Sequence, residues 1–153
     1  MVLVFATLIL SYKFYLSGSA GLAIPYQDIA GDKKNSAAIS VGLGMSEYDN
    51  FSVGANFNFF PSLNLFSLLA DIGLRFDSES FSASILGALG PSLVFREKKN
   101  YANLALSSGL KVGTYIVPLR LVGFINPSFS AHLGPMGGYI ISIIAGLELF
   151  ASR

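Results

Sequence analysis

The sequence holds one imidazole, His132, in the segment SFSAHL. Alternate side chains of an extended segment point the same way, so His132 would share a face with Ser130 and Ser128. Histidine beside serine is the raw material of nucleophilic catalysis, which also needs an acid within hydrogen-bond reach to orient the ring. Glu148 falls at the opposite end of the next segment, and Asp28, Asp32 and Glu97 belong to other turns. The pattern therefore predicts a rim histidine bonded to water or backbone, and no catalysis. Other chemistry is as poorly supplied. Without cysteine, and with a single histidine, disulfides and thiolates are excluded and zinc sites nearly so. Glu47, Asp49, Asp77 and Glu79 sit in the turns SEYDN and DSES without the spacing of a Ca²⁺ loop, and read as solvated acids. Gly42-Leu43-Gly44 lacks the third glycine and the helix of a phosphate-cradling loop. No cofactor and no metal are expected.

Positioning such residues falls to a single domain, since 153 residues leave no second core of useful size. Charged residues make up 12%, about half the roughly 25% of ordinary soluble domains. Hydrophobic residues reach 52%, and the formal net charge is +1. That balance excludes a disordered chain, and it offers no basic field for nucleic acid. A helical membrane protein is excluded too. A spanning helix needs about 20 apolar residues in a row, and the longest such run is 1–10, MVLVFATLIL.

Elsewhere the apolar residues alternate with small or polar ones, which is strand periodicity. Ile39, Val41, Leu43 and Met45 oppose Ser40, Gly42, Gly44 and Ser46. Leu68, Ala70, Ile72, Leu74 and Phe76 oppose Leu69, Asp71, Gly73 and Arg75, and Leu104, Leu106, Leu110 and Val112 oppose Asn103, Ser107, Gly109 and Lys111. Turn residues divide the chain into strands near 12–26, 36–46, 50–60, 64–77, 80–96, 101–115, 118–133 and 138–150. Short links between them predict an antiparallel meander. The fold expected is all-β: an eight-stranded antiparallel up-and-down transmembrane β-barrel.

The two faces decide which side meets which medium. The second face is small rather than charged, which suits the crowded interior of a narrow barrel. The bulky face suits hydrocarbon. Aromatic residues gather at both sets of strand ends, with Tyr48, Phe51, Phe76, Phe81 and Tyr115 at one and Phe59, Phe66, Phe95, Tyr101 and Tyr139 at the other. Two such girdles are expected at membrane interfaces. A soluble lipocalin-like ligand-binding barrel is the alternative on the same strand count.

On strand number, face chemistry and girdles, residues 12–150 resemble the small bacterial outer-membrane β-barrels of the OmpA/OmpX type. The resemblance implies the bacterial outer membrane, a periplasmic N-terminus, and a last strand closing on an aromatic. Tyr139, Ile141, Ile143, Leu147 and Leu149 form the outward row of that strand, whereas Phe150 has the other parity and needs a bulge to turn outward. Residues 1–11 read as a signal-peptide remnant, with cleavage before about Ser11; Gly18-Ser19-Ala20 offers a competing cleavage site that would shorten the first strand.

Two charge groups stand out against so few charges. Lys13, Asp71, Arg75, Lys111, Arg120 and Glu148 have inward parity and fall in one half of the barrel, where they are expected to form a structural interior cluster. Glu148 should meet Arg120 and Lys13, and Asp71 should serve Arg75. Lys33, Lys34, Arg96, Lys98 and Lys99 lie on the opposite rim, which the resemblance places outside the cell. There they could contact lipopolysaccharide or another anionic surface lipid. The function expected is a structural or surface-interaction role of a monomer in the lipid bilayer. A small-solute channel is the alternative.

Overall fold

The computed structural model describes residues 13–26, 34–47, 50–97 and 99–151. The signal-peptide reading of 1–11 and the residues Asp28, Asp32, Lys33, Tyr48, Asp49 and Lys98 lie outside them.

Eight strands follow one another: β1 (Lys13–Pro25), β2 (Ser36–Ser46), β3 (Phe51–Phe60), β4 (Leu65–Asp77), β5 (Phe81–Phe95), β6 (Asn100–Val117), β7 (Leu121–Leu133) and β8 (Gly138–Phe150). Each pairs antiparallel with the next, and β8 pairs with β1, so the sheet closes without a free edge. Period-2 alternation drives the closure. Leu43, Ile72, Ile85 and Ile143 point outward and are more than half exposed, while Ser40, Ser84, Ser92 and Ser142 point inward and are buried. The polarity of an ordinary soluble barrel is inverted.

Two connections shape the interior. Between β3 and β4 a single 3-10 turn, Pro61–Leu63, starts on proline and ends at Asn64 in the left-handed conformation, φ 49°. It folds Leu63 into the barrel mouth. At the other end, residues 118–120 form a tight turn with Leu119 at φ 58°. The β6–β7 register shifts between Tyr115 and Val117 just before it. Strand seven therefore begins at Leu121 rather than at 118.

The inward residues form layers along the axis. At the distal end, which carries the turns after β1, β3, β5 and β7, an apolar cap contains Ala23, Phe60, Leu63, Leu65, Val94 and Ile140. At the proximal end, where Lys13 and Phe150 lie, Tyr15, Val122, Phe124 and Phe150 pack together, with Tyr115 against them. Tyr115 and Tyr101 thus pack inside, against the two apolar layers. The sequence reading placed both in the outer girdles, a correction that follows from their odd-numbered inward parity on β6. Outside, Phe76 and Phe81 remain exposed at the proximal end. Phe59 stacks on Phe66 at 4.3 Å, and Phe66 meets Phe95 edge-on at 5.3 Å, at the distal end.

Candidate functional site

The candidate site is the lumen between those layers. Its charged floor is centred on Glu148, which is fully buried. Glu148 Oε1 accepts from Arg75 Nη1 at 2.5 Å, and Oε2 accepts from Lys111 Nζ at 2.5 Å. Arg75 Nε donates to Asp77 Oδ2 at 2.6 Å. Two acids and two bases balance, which is the condition for keeping charge inside a narrow barrel. Aromatic rings complete the packing. Arg75 lies 4.6 Å from the centroid of Phe150, and Lys111 Nζ lies 4.9 Å from that of Phe124.

This geometry revises several sequence-level pairings. Glu148 bonds Arg75 and Lys111 instead of Arg120 and Lys13. Arg120 is not in the cluster at all. It sits exposed in the β6–β7 turn, where its backbone carbonyl accepts from Phe150 N–H at 2.7 Å. The turn consumes the residues that would have carried it inward. Lys13 lines a small cleft at the proximal mouth with Ser46, Asp77, Tyr115, Leu119 and Phe150. Asp77, assigned to a solvated turn on sequence, ends β4 and takes the role beside Arg75 expected of Asp71. Phe150 stays inward, with no bulge turning it out.

Asp71 belongs to a different arrangement, built on two glycines. Tyr15 on β1 pairs with Gly44, Gly44 with Gly54, and Gly54 with Asp71, one row across four strands. A Cβ at Gly44 would stand 2.6 Å from the Tyr15 hydroxyl, and one at Gly54 would meet both that hydroxyl and Asp71 Oδ1 within 2.6 Å. Glycine lets the tyrosine ring lie flat over its neighbours and reach toward the carboxylate. No sequence signal marked this row, because Gly44 and Gly54 read as ordinary small inward residues.

Between floor and cap lies a polar cavity of about 80 Å³. Ser17, Ser40, Asn56, Asn58, Asn126 and Ser128 contribute to its wall, with Asp71 and Lys111 on the floor side and Phe60 and Ile144 on the cap side. A cavity of this kind has room for water. Hydroxyl pairs bind the wall together: Ser128 and Ser142 at 2.7 Å, Ser130 and Ser107 at 3.1 Å.

His132 is not on the rim. It is 3% exposed, inside the distal half, and its Nδ1 lies 3.0 Å from Ser92 Oγ. Nε2 has no hydrogen-bond partner, and no carboxylate bonds the ring among the described residues. Among the described residues no acid completes a triad with His132 and a serine. Among the described residues no group of three or more His, Asp or Glu is placed to hold a metal ion. On the distal rim Lys34 and Lys99 are exposed and Arg96 is half-buried, with Lys99 Nζ 5.5 Å from the Tyr101 ring.

Comparison with known proteins bears on the fold. No protein-family model matches the sequence, and no curated protein matches it significantly. Solved structures do match. Neisserial surface protein A superposes with TM-score 0.62 at 12% identity, over 91% of this chain and 96% of that one. The N-terminal β-barrel domain of Pseudomonas aeruginosa OprF gives 0.55 at 11% identity, over 90% and 97%. Ail, the attachment invasion locus protein of Yersinia pestis, gives 0.55 at 14% identity, over 92% and 99%. The chain has the fold of these small outer-membrane barrels.

Proposed function

We propose that the chain spans the bacterial outer membrane as a monomeric, side-chain-filled barrel, with a structural or surface-interaction role and no catalysis. The observation that carries this reading is the inverted polarity. A continuous outer band of Leu, Ile, Val and Phe surrounds an interior of Ser, Asn and a neutralised ion cluster. In water such a surface would drive aggregation. In hydrocarbon it is the required one, and a closed sheet leaves no backbone group unpaired at an edge. The distal rim would stand at the outer surface, where Lys34, Arg96 and Lys99 meet the phosphates of lipopolysaccharide or another anionic lipid.

A small-solute channel is the second reading, favoured by the polar cavity of about 80 Å³. The floor and cap weigh against it, since Glu148, Leu63, Leu65, Val94 and Ile140 are essentially inaccessible at its two ends. Cell fractionation tests the main reading together with electrophoresis of the unboiled protein in SDS. A membrane barrel fractionates with the outer membrane and shifts in mobility only on boiling. Recovery in the soluble fraction would favour a lipocalin-like carrier instead.

A further inference from the structure

Prolines interrupt the barrel wall at two places. The β4–β5 ladder lacks the pairs Leu68–Pro91 and Leu69–Gly90, and the β6–β7 ladder lacks Leu110–Pro127 and Lys111–Asn126. The register is the same on both sides of each gap, and the other ladders run unbroken among the described residues. Proline has no N–H to give, so Leu68 C=O and Leu110 C=O each lose a ladder bond. The two gaps differ in what backs them. At the first, Leu69 is buried and apolar, and a Cβ at Gly90 would collide with Leu68 C=O, so the backbones are closed up. At the second, Lys111 and Asn126 both line the polar cavity. Lys111 Nζ is committed to Glu148 at 2.5 Å, and Asn126 Oδ1 has no hydrogen-bond partner. Ser108, exposed on the outer face, lines the same cavity. Toward the distal end the two strands are stitched again. Ser107 Oγ donates to Phe129 C=O at 3.3 Å, and Ser130 Oγ donates to Ser107 Oγ at 3.1 Å.

We propose that the β6–β7 gap is a side entrance, through which small uncharged molecules dissolved in the bilayer reach the lumen cavity. The inference rests on the membrane-spanning reading, and adds a route to the lumen that avoids both floor and cap. The wall parts most easily where a backbone bond is already missing, because every other bond must be broken in hydrocarbon with no water to replace it. Approach through hydrocarbon also selects what enters. A charged solute is excluded by the cost of leaving water, and an uncharged one is not. Once inside, it meets the hydroxyls of Ser17, Ser40 and Ser128 and the open Asn126 oxygen. The solute admitted is therefore small, uncharged and able to form hydrogen bonds.

The chain contains no cysteine, so one introduced thiol reports alone. Ser40→Cys places it on the cavity wall, on β2 and away from both gaps. The full-length variant in phosphatidylcholine vesicles is treated at alkaline pH with methyl methanethiosulfonate or with its charged sulfonatoethyl analogue. Each rate is taken relative to that on a free thiol. The uncharged reagent is expected to label the cysteine, and the charged one to leave it unreacted; this comparison needs no further substitution. Adding Pro127→Val restores the N–H facing Leu110 and should slow labelling about tenfold, the equivalent of one hydrogen bond. Adding Pro91→Val should leave the rate unchanged, and both should preserve the boiling-dependent mobility shift. Equal relative rates for the two reagents, or a rate indifferent to Pro127→Val, overturns the side entrance. So does a thiol that neither reagent reaches before boiling. Failure of the protein to float with the vesicles overturns the membrane-spanning reading, and the entrance with it.

Discussion

Arg75 and Glu148 meet across the full width of the lumen. Their side chains come from β4 and β8, four strands apart in a ring of eight, and bond at 2.5 Å. A pair of that kind braces opposite walls, which neighbouring-strand hydrogen bonds cannot do. Lys111 and Asp77 complete it, so neither charge is left bare.

Glu148→Gln should therefore destabilise the barrel by about 3–5 kcal/mol, because it leaves Arg75 and Lys111 buried beside a neutral amide. Urea unfolding in detergent measures this. Arg120→Ala, at an exposed turn position, should stay within about 0.5 kcal/mol of the parent. Equal midpoints for Glu148→Gln and the parent would mean a solvated floor, in which pairing contributes only about 0–1 kcal/mol.

The glycine row gives a prediction independent of charge. Gly54→Val would press a branched side chain into the Tyr15 hydroxyl and Asp71. Overpacking of this kind typically costs about 1–3 kcal/mol. Tyr15→Ala combined with Gly54→Val should recover part of that loss, since the ring that collides is gone. A thermal series of the mobility shift compares the three proteins. Additive losses in the double variant would contradict the tyrosine–glycine contact.

Substitutions should also sort by strand parity. Leu43→Arg or Ile72→Arg places a charge on the outer band and should cost about 2–4 kcal/mol in a bilayer. Ser40→Ala, on the inner wall, should be mild. His132→Ala removes one hydrogen bond to Ser92, worth about 0.5–1.5 kcal/mol, and a buried ring. Its loss should be smaller than that of Glu148→Gln. Unfolding midpoints in lipid vesicles of one composition compare the five variants, and indifference to parity would contradict the face assignment.

These features were not equally legible in the sequence. Alternation at period 2 marks the strands and their faces, because the outer face is bulky along most strands while the inner face is small over the middle of the barrel. The parity of Phe150 followed from the same rule. Partners across the lumen did not, since parity places a residue inside without saying how the stagger of tilted strands sets its height. Strand order alone pairs Glu148 with Arg120 and Lys13, whereas the stagger brings it to Arg75 and Lys111. Arg120 was misplaced for a local reason: a leucine in the left-handed conformation tightens the turn, and its type gave no warning. Position along the strand puts Tyr101 and Tyr115 at the girdles, but their parity on β6 points them inward. His132 shared its face with Ser128 and Ser130 as expected. Its partner Ser92 came from β5, two strands away, which chain order alone does not show.

Single-channel recording in planar bilayers tests the central claim most directly, because the charged floor and the apolar cap fill the lumen of the barrel at its two ends among the described residues. The account predicts a protein that inserts, shifts in mobility on boiling, and carries no steady current. It also predicts that Glu148→Gln, by loosening the floor, raises the frequency of brief openings. A steady conductance from the parent protein, unchanged in Glu148→Gln, would contradict it and give the channel reading first place.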